Sequence, residues 1–268
     1  MCRLLGMMCN DEDLLTCAIA EVAEALKIPA SSRPAGTGVA YYQNEEPLLR
    51  KRPVPKDSGV EYSQWIENLT SNVLLAHALP AGQQPWKDAQ AQPFRFRKWV
   101  FGMCGELGGL AEQRETALRR LPEFLARNVQ GETEAELMFH LLLNRMFASG
   151  TLNDLGVAPE TVSRQILECL DDIHSLTRAA PERFVMIVTN GQIMAAACRK
   201  LPMHYSHREG IQSCSLHEDS EQQRRLHRRF KGIMLGANLI DPGHEWREVA
   251  DGSLLTVSHE LELRVAQL

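Results

Sequence analysis

Cys2 stands at the start of the stretch MCRLLGMMCN, followed by Arg3, Leu4, Leu5 and Gly6. Cysteine is small, so removal of Met1 by a methionine aminopeptidase is expected. Cys2 would then carry both a thiol and a free α-amine, whose ordinary pKa of about 7.7–8.0 makes it a usable base near neutrality. One residue would thus supply a nucleophile and its own general base. The competing reading is a small buried hydrophobe opening an apolar strand, the common fate of a free cysteine. On these ten residues alone the buried reading is the stronger. A second set of chemically capable residues lies in HYSHREGIQSCSLH, where His204, His207, Cys214 and His217 form an HxxH–CxxH spacing with zinc-compatible donors. Histidines in polar segments are usually solvated, and no metal is expected there. A third, QQRRLHRRFKG, clusters Arg224, Arg225, Arg228, Arg229 and Lys231 directly after Glu218, Asp219 and Glu221. It reads as a solvated helix face with local ion pairs.

The 268 residues suffice for one large α/β or α+β domain with a sizeable core. The net charge of −5 gives no general attraction to nucleic acid or to an anionic membrane. No apolar run is long enough to span a bilayer, and no secretory leader is evident, so a cytoplasmic location is expected and the Asn68-Leu69-Thr70 sequon carries no weight. Seven cysteines, an odd number without a CxxC, argue for reduced thiols over a disulfide framework.

The elements that must position these residues follow from periodicity. Residues 13–28 read as an amphipathic helix ending before Pro29; 39–42, 73–79 and 98–105 read as strands; and 80–93, with three prolines, reads as a loop. Residues 132–147 form a helix whose Thr133 and Glu136 make a capping box, and 159–176 a helix with Pro159 at its start. Residues 183–199 read as a hairpin turning at Asn190-Gly191, and 232–240 and 254–265 as further strands. The order predicts an α+β protein of layered sheets with helices outside.

Placed on these elements, the sequence resembles the class II glutamine amidotransferase family of N-terminal-nucleophile hydrolases, and in particular its small stand-alone branch, which includes the ergothioneine-pathway amidohydrolase. MCRLLG matches the start of that branch, and PAGTGVAYY (34–42) its PDGWGIAYY. LLAHALPA (74–81) sits where the family has AHVRxA, QAQPF (90–94) where it has NTHPF, and WVFGMCGEL (99–107) where it has WxFxHNGxL. TEAELMFHLLL (133–143) matches TDSELLFHLLL, and HEWREVADGSLLTVS (244–258) fits the closing strand. The resemblance implies a four-layer αββα sandwich over 1–268 as a single domain, and Cys2 as nucleophile and base, acting through a thioester with Gly105 as oxyanion N–H donor. It also locates substrate-handling positions, several of them changed. The carboxylate-binding arginine falls at Leu79, which offers no bidentate partner unless Arg33 or Arg95 substitutes. The oxyanion asparagine falls at Cys104, a weak donor read as a small filler at a strand end. The amine-binding acid is Glu134 in place of Asp, and Glu134 suits a helix first turn equally well. Thr37, Gln90, Ala91 and Gln92 replace rim residues, while His77 keeps the family's histidine and reads as a hydrogen-bonded core residue.

The expected protein is therefore an amidohydrolase acting on an amide other than free glutamine, with no cofactor and no metal. Its expected partner is a small-molecule amide, with a homo-oligomer or a protein partner admitted. The alternative is a catalytically inactive family member acting as a binding or regulatory protein.

Overall fold

The computed structural model describes residues 2–23, 27–32, 34–55, 57–60, 66, 69–80, 87, 90–178, 182–212, 214, 216–217 and 220–268. Met1, Arg33, Asn68, Glu218, Asp219, most of the 80–93 loop and the Leu79 side chain lie outside the described residues. The strands are β1 (Arg3–Cys9), β2 (Pro34–Gln43), β3 (Glu46–Pro53), β4 (Val73–Pro80), β5 (Phe94–Phe96), β6 (Trp99–Leu107), β7 (Glu182–Thr189), β8 (Ile193–Arg199), β9 (Met203–Glu209), β10 (Lys231–Ala237), β11 (Arg247–Glu248), β12 (Ser253–Ser258) and β13 (Leu263–Gln267). The α-helices are α1 (Leu15–Glu21), α2 (Arg114–Arg119), α3 (Glu123–Ala126), α4 (Glu134–Ala148), α5 (Pro159–Leu176) and α6 (Glu221–Arg229).

The strands form two antiparallel sheets, one of seven in the order β11-β9-β10-β1-β4-β2-β3 and one of six in the order β13-β12-β8-β7-β6-β5. Strand side chains alternate between the two faces of a sheet. On β1, Leu4 and Met8 join the core between the sheets, whereas Leu5, Met7 and Cys9 join the core under α1. On β6, Val100 and Cys104 face the other sheet, while Phe101, Met103 and Leu107 pack toward α4 and α5. The result is the four-layer αββα sandwich.

The layers meet closely where glycine replaces a side chain. A Cβ on Gly6 would stand 2.6 Å from Met194 Sδ, and one on Gly102 would stand 2.7 Å from Leu4 Cδ1. Among the described helices none is long and apolar enough to cross a membrane.

The local chemistry of α4 and α5 is as the sequence indicated. Thr133 Oγ1 accepts from the Glu136 N–H, and α5 starts at Pro159. Elsewhere the structure differs. Of the expected helix over 13–28, the described residues form an α-helix at Leu15–Glu21 with a break at Val22, its N-cap Leu14 offers no side-chain acceptor, and residues 24–26 lie outside the described residues. The 254–265 segment is two strands with residues 259–262 between them. The hairpin turn uses Gly191 at φ +91, with Asn190 Oδ1 accepting from Gln192 N and Ile193 N in place of a second left-handed residue. His204 and His207 lie on strand β9 and not on a loop, because that stretch pairs with β10.

Candidate active site

Cys2 immediately precedes β1, and its parity with Leu4 and Gly6 turns it toward the six-stranded sheet. Cys104 reaches the same space from β6. The two sulfurs are bonded, with Cα atoms 5.8 Å apart, which joins one sheet to the other. This corrects two expectations: the thiols are not all reduced, and Cys104 is more than a filler. Spacing along the chain carried no sign of it, because the pair is made by two strands that meet only when the layers stack. The remaining described cysteines, Cys9, Cys17, Cys169, Cys198 and Cys214, are free of disulfides, and all but Cys214 are buried.

His77 stands opposite Leu4 in the β1–β4 register and therefore faces the same interlayer space. Its Nε2 lies 3.1 Å from Cys2 Sγ. The ring is fully buried, and burial, with the Lys51 charge acting in the same sense and the Met103 carbonyl opposing, holds its pKa down at about 4. His77 is thus a neutral hydrogen-bonding neighbour of the sulfur at physiological pH. Asn238, just past β10, donates from Nδ2 to the Cys2 carbonyl at 3.0 Å and fixes the backbone there. Thr37 Oγ1 donates to the His77 carbonyl at 3.0 Å.

Gln92 does not line a rim. It is buried, accepts from Met103 N at 2.6 Å and donates to Met103 O at 3.0 Å, so its amide clamps the backbone next to Cys104. Lys51, on β3, was not singled out by sequence reasoning. It donates to the Ala91 carbonyl at 2.6 Å and lies over the Phe94 ring, bringing a positive charge toward His77. Its basic side chain in a strand that alternates with exposed residues gave no signal of this.

Gly105 follows Cys104 at φ +112, exposed, with the position of its absent Cβ only 2.0 Å from the Arg183 carbonyl oxygen. Only glycine fits that backbone. The turn beyond it is held by Glu134, which accepts from Leu107 N at 2.7 Å and Ala111 N at 3.3 Å. Glu136 is also a backbone acceptor, for Gln130 N at 2.8 Å and Gly131 N at 2.6 Å. At the other rim Leu79 pairs through its backbone with Gly36. Arg95, one of two arginines able to replace the missing guanidinium, is committed to Glu46 at 3.9 Å and to the Arg97 carbonyl at 3.2 Å. The structure thus brings together Cys2, His77, Cys104 and Gly105, and ties Glu134 into the turn that carries Gly105.

A family model described as class II glutamine amidotransferases matches residues 1–266. No curated protein sequence matches the chain. Among solved structures, a glutamine aminotransferase class-II domain protein from Silicibacter pomeroyi is similar at 18% identity and TM-score 0.59, with 99% of each chain covered. A predicted glutamine amidotransferase from Pseudomonas aeruginosa is similar at 15% identity and TM-score 0.57, over 97% of this chain and 98% of that one. The glutamine phosphoribosylpyrophosphate amidotransferase from B. subtilis is similar at 11% identity and TM-score 0.56, and there 99% of this chain spans 49% of the larger protein.

Proposed function

Because the chain belongs to the class II glutamine amidotransferases, we propose that it is a single-domain amidohydrolase whose nucleophile is Cys2, acting on a side-chain or γ-glutamyl-type amide other than free glutamine. The observation that carries this reading is the position of Cys2 between the sheets, beside the Gly105 turn and bonded to Cys104. The bonded form is inert, since its sulfur has no thiolate to offer. Two-electron reduction by a thiol reductant of the cytoplasm cleaves the S–S bond, leaves two thiols and oxidises the reductant to its disulfide.

With Met1 removed, the Cys2 α-amine takes the thiol proton and the thiolate attacks the amide carbon. The Gly105 N–H faces the oxyanion. Collapse expels the amine, which receives the proton from the α-ammonium, and leaves a Cys2 thioester. A water deprotonated by the same amine then releases the acid and regenerates the thiol. His77, with its pKa of about 4, is a weaker base than the amine and serves as the sulfur's hydrogen-bond partner. Free glutamine in the family's usual pose is disfavoured by three features: an apolar Leu79, a Cys104 in place of an amide donor, and a Glu134 whose carboxylate holds two backbone N–H groups.

The test is peptide mass spectrometry after reduction and brief treatment with limiting iodoacetamide. Background labelling is low, because burial pushes the Cys9 thiol up to about 12 and raises those of Cys169 and Cys198. The proposal expects Met1 to be absent and Cys2 to label faster than half-buried Cys214. Retained Met1, or a Cys2 slower than Cys214, sinks it. A second reading, an inactive binding protein, is favoured by the occupied Cys2 sulfur. It predicts that reduced protein turns over no γ-glutamyl amide, and that Leu79→Arg with Cys104→Asn restores no Cys2-dependent glutaminase.

A further inference from the structure

On the outer face of the seven-stranded sheet, away from Cys2, four donor side chains converge from three separate segments. Cys17 projects from α1, Cys214 and His217 come from the segment between β9 and α6, and His227 comes from α6. One donor atom from each lies within 4.8 Å of the other three. His217 Nδ1 is 3.3 Å from Cys17 Sγ and 3.5 Å from Cys214 Sγ. A tetrahedral zinc ion with Zn–S of about 2.3 Å and Zn–N of about 2.0–2.1 Å has sulfur–nitrogen edges of about 3.6 Å. Both observed separations are close to that edge.

From this geometry we propose that Cys17, Cys214, His217 and His227 form a structural Zn²⁺ site. The sequence spacing pointed to the wrong partners: His204 and His207 are on strand β9, and α1 and α6 supply the missing sulfur and nitrogen. Two thiolates and two neutral imidazoles balance the dication, and binding releases the two thiol protons. Four protein ligands close the coordination sphere, so the ion has no position for substrate and its role is to fasten. What it fastens is visible. Gln223, one helical turn before His227, contacts His227 Nε2 at 3.0 Å. One turn after Cys17, Glu21 pairs with buried Arg208 and accepts from Gln212 N at 2.7 Å. The Glu21 contacts and the ion would together hold α1 against the segment from β9 to α6. Zinc fits the donor set better than other divalent ions, since paired thiolates and imidazoles in a tetrahedron are its usual environment.

The test uses the full chain, purified under reducing conditions without chelator. Metal content is read by plasma mass spectrometry, and Co²⁺ replacement by its tetrahedral visible bands with thiolate charge transfer. The expected result is one zinc per chain, with Cys17→Ala, Cys214→Ala and His217→Ala each weakening binding by no less than the ~10–100-fold typical of losing an outer-shell partner. Because His217 is exposed, its variant keeps the fold and decides the matter if a Cys17 variant does not fold. Cys2→Ala, Cys104→Ala and His204→Ala should keep the metal. Metal-free protein without cobalt bands, metal that is lost with Cys2 or Cys104 but kept in His217→Ala, or a Cys17–Cys214 disulfide in fresh metal-free protein would each overturn the proposal.

Discussion

Reduction of the Cys2–Cys104 bond is expected to weaken the fold while making its chemistry available. The bond spans 102 residues of sequence. Closing a loop of about 100 residues removes roughly 16 cal/mol/K from the unfolded ensemble, about 4.7 kcal/mol at 25 °C. Native domains are stable by only about 5–15 kcal/mol, so the bond accounts for a large share of the total. With a urea m-value near the upper end of the ~1–3 kcal/mol/M range, the unfolding midpoint should fall by about 1–2 M on reduction. The assay is urea unfolding of wild type and Cys104→Ala, each with and without a phosphine reductant, alongside turnover of a γ-glutamyl amide. Reduced wild type should unfold near the Cys104→Ala midpoint, wild type should gain activity on reduction, and the variant, whose Cys2 is always free, should be active with or without the reductant. Coincident midpoints for oxidised and reduced wild type, or turnover by the fully oxidised protein, would refute the reasoning.

Gly6→Ala places a methyl group 2.6 Å from Met194 Sδ and 3.1 Å from Ile187 Cδ1. It should cost about 1–3 kcal/mol in chemical denaturation, with part recovered by a second change, Met194→Ala. Because the His77 pKa is depressed from 6.5 to about 4, its stabilising contribution is complete above pH 6.5 and is lost as pH falls toward 4. The loss amounts to about 3 kcal/mol, so His77→Asn should flatten the stability profile across that window. Gly105→Ala meets the Arg183 carbonyl and forces a side chain to φ +112, so kcat should drop by at least tenfold while unfolding shifts to lower urea. Arg208→Ala strands the carboxylate of nearly buried Glu21 and should cost about 3–5 kcal/mol, visible as a lowered Tm.

The parts of the fold that could be read from sequence are those where one local signal decides the outcome. Thr133 and Glu136 announced the start of α4 by their spacing, and Pro159 marked the first residue of α5. The apolar runs of β4, β6 and β10 are buried on both faces, as their continuous hydrophobicity required. Strand β3 went unread because half of its residues in EPLLRKRP are charged and two more are proline, and it is ordered by pairing with β2. At the site, Cys2 and Gly105 were legible through motif position. The Cys2–Cys104 bond was not, because it depends on the side-chain parity of two strands 102 residues apart. The roles of Gln92 and Glu134 were hidden for a similar reason: both bind backbone of other segments, which leaves no mark in side-chain patterning.

Strand β1 lies inside its sheet, between β10 and β4, and the Cys2 carbonyl is held by Asn238, 236 residues further along. The order of synthesis therefore differs from the order of assembly. At about 5–20 residues per second, roughly 10–50 s separate the emergence of Cys2 from that of the strand and amide that seat it. During that interval β1 has only β4 to pair with, and the segment around Cys2 is open to an aminopeptidase and to thiol chemistry. If the proposed Cys2 chemistry holds, removal of Met1 would have its window there, before β10 closes the sheet, and a chain interrupted ahead of residue 231 would display its cysteine without building the site around it.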